Sequence, residues 1–368
     1  MSHSELIIFF LQLALILAVA VMFGQMMRKL GQPAVLGELI GGIVLGPTIF
    51  GALWPAAFSW LFPSTGHLPL ARETLIKLGM LFFLFIAGLE VNLGQLQQRG
   101  LSTILTSLLG VLLPFTLGFG SVWFLPDWWR VADQTELLRL SLFIGTALSI
   151  SALPVIARIL KELGLLNQEI GVVVMAAAII NDLIGWTLFA MIISDFVPAN
   201  VPYRSVWVTI LLTIVFFGLM LTLGRWFGQR AIIWLQAHLP WPSGFIGVTA
   251  ILVLSAVVVA ETIGIHAFFG AFLVGVALAQ NHETQSQQAH ETVYQFVVSF
   301  LTPIYFVSIG LQANFITHFD FPLVALVWVV ACVGKVVGAG LGAWLGGMSL
   351  REALVVGFGL NARGARLS

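Results

Sequence analysis

The sequence predicts an all-α polytopic membrane protein, on three observations. Of its 368 residues, 59% are hydrophobic and only 9% are charged, whereas a soluble domain carries about 25% charged residues. Apolar runs of roughly 20 residues, the length that crosses a bilayer core, follow one another from end to end. The polar connections between them are brief, so a single transmembrane domain over 1–368 accounts for the chain.

Taken in order, helices are expected near 6–27, 34–54, 74–92, 101–125, 137–160, 169–194, 205–227, 244–263, 266–281, 293–313 and 322–345, with a twelfth from 351. Met1-Ser2-His3-Ser4-Glu5 lacks the basic start of a signal peptide, so the first run is read as a retained helix. The longest linkers are 55–73 and 228–243, and 281–292 is the most hydrophilic. Thr262-Ile263-Gly264-Ile265 leaves room only for a tight turn before the short, glycine-rich ninth helix. Odd-numbered connections and their flanks carry Arg28, Lys29, Arg99, Arg158, Lys161, Arg225, Arg230 and Arg351. The even-numbered ones carry the smaller set Arg72, Lys77, Arg130, Arg139 and Arg204. The positive-inside tendency then places odd connections in the cytoplasm and the N-terminus outside. A net charge of zero gives no reason to expect a nucleic-acid partner. The single Cys332 excludes an internal disulfide and, inside an apolar run, is read as packing.

The chain repeats itself. Gly41-Gly42-Ile43-Val44-Leu45-Gly46 in the second helix parallels Gly270-Ala271-Phe272-Leu273-Val274-Gly275 in the ninth. Gly88-Leu89-Glu90-Val91-Asn92 in the third parallels Gly310-Leu311-Gln312-Ala313-Asn314 in the tenth. Both pairs lie an odd number of helices apart, so equivalent helices cross in opposite directions. That is the inverted repeat of secondary transporters, which brings broken helices and ion sites to the midplane.

Polar chemistry concentrates where such breaks are expected. Asn181-Asp182 sits in the middle of the apolar run Ala176–Trp186, where an ionised carboxylate costs roughly 2.5–3.5 kcal/mol on insertion scales. The plain reading is a structural carboxylate tied to a neighbouring helix; the functional one is a carboxylate that binds and releases a proton or cation. One helix earlier, Thr146, Ser149 and Ser151 precede Pro154, which removes a backbone donor and disfavours helix at Leu153. An ordinary proline kink with serines bonding back to their own helix is the alternative there. The repeat partner in the twelfth helix is Gly357 to Gly364, with Arg363 at its expected break, either neutralising the carbonyl end of a half-helix or marking a membrane edge.

Lys335, in the eleventh helix, is the other costly charge. It stands beside Gly334, Gly338, Gly342 and Gly346, a one-face ladder that admits a close neighbour. A buried ammonium needs an anion, and Asp182 is the natural choice. Glu38, Glu90 and Glu261 compete, but lie near helix ends where hydration makes a charge cheap. His266, opening the ninth helix, is read as an interfacial hydrogen-bonder. Low dielectric favours the neutral acid at Asp182 while an ammonium favours the carboxylate, so protons and cations can compete there. A site that holds one or the other, but not both, exchanges them, which is antiport. No HExxH, Walker loop or Cys/His cluster points to an enzyme or a resident cofactor.

With these residues in hand, the chain resembles the monovalent cation:proton antiporter-2 superfamily. The resemblance rests on Leu36-Gly37-Glu38-Leu39-Ile40-Gly41-Gly42-Ile43-Val44-Leu45-Gly46-Pro47, Ala87-Gly88-Leu89-Glu90, Ala147-Leu148-Ser149-Ile150-Ser151 and Asn181-Asp182. It continues through Gly270-Ala271-Phe272, Pro303, Phe306-Val307-Ser308-Ile309-Gly310-Leu311, Gly334-Lys335 and Arg363-Gly364. It implies an inverted-repeat antiporter fold with broken crossing helices, of which about 12 of an expected 13 are present, so a C-terminally truncated frame is expected. It also implies core helices roughly over 74–194 and 293–368, scaffold and dimerisation helices roughly over 6–54 and 205–281, and a homodimer in a bacterial inner membrane.

By motif position, Asp182 looks like the ion-binding carboxylate, Asn181 its neighbour, Ser149, Ser151 and Thr146 the broken-helix ligands, and Lys335 and Arg363 the charge partners. The Asn-Asp pair is similar to electroneutral exchangers, and Arg363-Gly364 to sodium exchangers, with potassium left open. The expected function is exchange of Na+ or K+ for H+ around Asp182, with those ions as cargo and lipid as surroundings. The alternatives are a sodium-coupled organic anion carrier and a non-transporting membrane subunit or sensor.

Overall fold

A computed structural model of the chain describes residues 2–89, 99–131, 133–166, 168–194, 206–238, 243–279, 291–316 and 319–361. Glu90, Asn92, Arg204, Arg363, Gly364 and most of 281–292 lie outside them. The described residues form helices and connections only. Among the described residues, eight helical stretches are long and apolar enough to cross a membrane, which makes this a multi-pass membrane fold.

The elements are α1 (His3–Lys29), α2 (Ala34–Leu45), α3 (Phe50–Leu53), α4 (Pro55–Leu61), α5 (His67–Leu89), α6 (Gly100–Trp123), α7 (Gln134–Ser149), α8 (Leu153–Glu162) and α9 (Glu169–Ser194). Then follow α10 (Val206–Leu219), a π-helical turn (Met220–Gly224) leading into α11 (Arg225–His238), α12 (Ser243–Ile263) and α13 (Ala267–Leu278). A second π-turn (Val297–Leu301) leads into α14 (Thr302–Gly310), before α15 (Phe321–Leu345) and α16 (Leu350–Gly359).

Three expected boundaries move, each for a local reason. The second helix stops at Leu45, because Gly46 turns extended before Pro47, which disfavours helix at the residue preceding it. The 55–73 linker is largely helical, with Pro55 at the first turn of α4, where its missing N–H costs nothing. The seventh helix runs on through the π-turn to His238, into the stretch read as linker.

The chain packs as two units, Met1–Glu90 with Phe216–Phe319, and Val91–Val215 with Asp320–Ser368. Packing groups α5 and α14 with α1, α2, α12 and α13, whereas the core and scaffold division expected from the sequence put them with 101–194.

Backbone contacts between glycines organise the first unit. A Cβ on Gly42 of α2 would stand 2.8 Å from Gly310 Cα of α14, and one on Gly275 of α13 would stand 2.9 Å from Gly88 Cα of α5. Gly37 likewise abuts Phe23 O of α1, and Gly270 abuts Ala256 O of α12. Gly31 and Gly264 both take positive φ, 69° and 87°, at the turns ahead of α2 and α13. The repeat is therefore real, but its register is corrected. Gly31 matches Gly264, Gly37 matches Gly270 and Gly42 matches Gly275, one helical turn from the alignment of Gly41 with Gly270. Only the matched contacts reveal this, since a glycine-rich apolar string aligns nearly as well with itself after a turn. The Gly88–Gly310 equivalence stands.

The second unit is built on α6 and α15. The glycine ladder of α15 does admit a close neighbour: Gly334 lies on Pro114, Gly338 on Leu109 and Leu113, Gly342 on Thr106 and Gly346 on Ser102. With lipid outside, such association rests on close van der Waals contact and interhelical hydrogen bonds.

Candidate functional site

The second unit contains a helix that breaks and restarts. α7 ends at Ser149, Ile150 is extended (φ −71°, ψ 138°), and α8 begins at Leu153 with Pro154 in its first turn. The proline therefore starts the second half-helix and does not kink a continuous one. The break leaves two sets of orphan backbone groups in the protein interior, carbonyls at the end of α7 and amides at the start of α8. The partial charges there are opposite, negative at the first and positive at the second.

Each end meets a side chain of complementary charge. Lys335, fully buried on α15, donates from Nζ to Ser149 O at 2.6 Å and to Gly110 O of α6 at 2.9 Å. Asp182, in the middle of α9 and 7% exposed, receives the backbone amides of Ser151 and Leu153. Its Oδ1 has no hydrogen-bond partner among the described residues. Oriented to satisfy its neighbours, the buried Asn181 amide donates to Ala177 O (3.1 Å) and Ser107 O (2.9 Å) and accepts from Lys335 Nζ (3.1 Å). Lys335 also lies within electrostatic reach of Asp182.

The structure brings Asp182, Asn181, Ser149, Ser151 and Lys335 together, with some contacts other than those expected from the sequence. Lys335 bonds to Ser149 O at the end of α7 and to Gly110 O of α6, a carbonyl-end role of the kind the sequence offered to Arg363 in its own segment, which lies outside the described residues. Ser149 contributes its carbonyl, because its hydroxyl donates back to Thr146 O at 2.7 Å. Thr146 keeps a fully buried hydroxyl with no partner among the described residues. Ser151 reaches Leu360 O, just past α16, at 3.5 Å, and Asn361 Nδ2 donates to Cys332 Sγ at 3.3 Å. The end of α16 thus meets the break between α7 and α8. Sequence reasoning missed α6, which supplies Gly110 and Ser107. A signal was present: Ser102, Thr103, Thr106, Ser107 and Gly110 form a small polar face at helical spacing on an otherwise apolar helix.

Chemically, the arrangement is one carboxylate oxygen without a partner among the described residues, held beside the backbone amides at the start of α8, with one ammonium within electrostatic reach. Among the described residues no group of three or more His, Cys, Asp or Glu could hold a metal ion. A site of this composition offers hard oxygen ligands and a single negative charge, which suits a weakly held monovalent ion or a proton.

The family model for sodium/hydrogen exchanger, transmembrane, matches residues 14–366. The chain belongs to the sodium/hydrogen exchanger family. Na(+)/H(+) antiporter NhaS4 of Synechocystis is 32% identical over 367 residues, covering 99% of this chain and 88% of that protein. Cation/H(+) antiporter 18 of Arabidopsis thaliana is 36% identical over 361 residues, covering 96% of this chain. The chain spans 43% of the length of that plant relative. Among solved structures, the sodium proton antiporter MjNhaP1 from Methanocaldococcus jannaschii superposes with a TM-score of 0.64 at 15% identity, over 96% of this chain and 82% of that one. That likeness shows the antiporter fold. Sodium/hydrogen exchangers are transporters and not enzymes, in keeping with the reading of the polar residues.

Proposed function

We propose that the chain exchanges a monovalent cation, Na+ in preference to K+, for H+ by alternating access around Asp182. The observation that carries the reading is the Asp182 carboxylate. It is buried mid-helix, anchored by amides at the start of α8, and left with one oxygen free to take either a proton or a cation. Occupancy by one excludes the other, so movement of the occupied site in both directions exchanges them. Thr146 and the Ser149–Ser151 break supply the remaining oxygen ligands. Lys335 holds the break together from the carbonyl side.

Asn181 leaves the pair with a single titratable acid, which supports one cation per proton and hence electroneutral exchange. The name of the Synechocystis relative supports Na+ as cargo. No resident cofactor is part of this reading. The proposed setting is a bacterial inner membrane, as a homodimer, with the N-terminus outside.

The test is proton flux in vesicles containing the purified full chain and a trapped pH dye, pulsed with Na+ or K+ with and without a clamped membrane potential. The expected result is a dye response at lower Na+ than K+ concentration, at a rate indifferent to the clamp. Absence of any cation-driven response contradicts exchange, and dependence on the clamp contradicts electroneutrality.

A further inference from the structure

The break between α7 and α8 is pinned on both sides. Before it, Ser149 O accepts from Lys335 Nζ at 2.6 Å, and Ile150 N still donates to Thr146 O at 3.3 Å. After it, the amides of Ser151 and Leu153 hold the Asp182 carboxylate. Ile150 is the extended residue between these anchors. Its side chain rests on the buried Gly185 of α9, three residues and about one helical turn beyond Asp182.

That seat has no room for another atom. A Cβ on Gly185 would overlap Ile150 Cγ1 and stand 3.2 Å from its Cδ1 and 3.5 Å from its Cβ. Carbon atoms pack at about 3.5–4.0 Å, so an added methyl must displace Ile150 by roughly 1 Å. A β-branched side chain has few rotamers with which to swing aside. On the α7 side the backbone is tied to the buried ammonium of Lys335. The displacement therefore passes to the other side, where Ser151 and Leu153 meet Asp182. The glycines of α15 pack on α6, a helix that stays continuous; Gly185 packs on the break itself.

We propose that Gly185 is a positioning residue that determines cation specificity: by seating Ile150 directly on α9, it sets the spacing between the Asp182 carboxylate and the oxygens of the break, and with it the choice between Na+ and K+. This rests on the exchange function proposed above. A compact site brings all its oxygens into contact with the smaller ion, so drawing them apart costs Na+ more than K+. A proton needs one carboxylate oxygen and no cage, so the spacing acts on the cation.

The experiment compares the full parent chain with Gly185→Ala and with Gly185→Ala/Ile150→Ala in pH-dye vesicles. It reads the half-saturating Na+ and K+ concentrations, with folded content checked by thermal unfolding in detergent. Gly185→Ala is expected to raise the Na+ value relative to the K+ value roughly fivefold or more. The paired variant removes the atoms that the new methyl would strike, and should return the ratio to within about twofold of the parent. A merely structural fault slows both ions alike and leaves the ratio unmoved. A folded Gly185→Ala protein with the parent ratio, or one shifted toward Na+, overturns the inference while leaving the exchange function in place. A folded pair that keeps the altered ratio overturns it too. If Gly185→Ala does not fold, the pair decides: folding regained with the parent ratio supports the seat, and any other result overturns it. A parent chain that exchanges neither ion overturns the proposed function, and this inference with it.

Discussion

The two packing units solve the same problem, holding helices together where lipid offers no hydrophobic drive, in opposite ways. The first unit does so through glycine. Gly42 against Gly310 and Gly88 against Gly275 bring backbones into contact in a repeated pattern. The second unit also has a glycine ladder, on α15, but turns it toward hydroxyls and surrounds it with a broken helix, a buried carboxylate and a buried ammonium. One unit packs backbone on backbone; the other also holds buried polar atoms left without a partner among the described residues.

That contrast can be broken by substitution, and the largest effect is expected at Lys335. Lys335→Met strands Ser149 O, Gly110 O and the Asn181 amide together. At about 1–3 kcal/mol for each group left unmet, it should lower thermal stability in detergent by roughly 3 kcal/mol or more and abolish exchange. Survival of both would mean that the half-helix ends are satisfied some other way. Gly310→Val is the matching change in the first unit. Its Cβ would meet Gly42 Cα at 2.9 Å, so overpacking of about 1–3 kcal/mol is expected. The protein that remains folded should keep the parent half-saturating cation concentration. A large change in cation affinity there would blur the comparison.

Smaller effects sharpen it. Thr146→Val removes a buried, unpartnered hydroxyl beside the break, and should raise the half-saturating cation concentration roughly fivefold, the equivalent of about 1 kcal/mol, with little change in melting. The smallest effect is expected outside the site. Arg130 and Asp320 pair at 3.2 Å with the arginine largely exposed, so Arg130→Gln should cost less than about 1 kcal/mol and leave exchange untouched. A strong loss from Arg130→Gln would assign that surface pair a role that its exposure does not suggest.

Much of this was legible in the sequence, for identifiable reasons. Apolar run length sets the helices, and a charge in the middle of a run is so costly that Asp182 and Lys335 stand out without a structure. The Pro154 break was visible too, although it falls slightly earlier than expected: proline favours the first turn of a new helix, so the chain unwinds just before it and Leu153 already belongs to α8. What could not be read was which atoms serve. Ser149 enters through its carbonyl because a hydroxyl at a helix end can fold back on its own turn, and sequence does not record that choice. The repeat was visible, but its register was not, because glycine-rich apolar segments resemble themselves one turn along. α6 went unnoticed because serine and threonine are cheap in membrane helices and draw attention only once their partners are known.

The central claim is that a proton and a cation compete for the carboxylate at 182. Its most direct test is sodium-driven proton movement in vesicles carrying equal amounts of folded parent or Asp182→Asn protein. The amide keeps the size of the side chain but can neither release a proton nor offer a full negative charge. The account predicts a dye response in the parent and none above empty vesicles in Asp182→Asn. Undiminished exchange by the variant would contradict it.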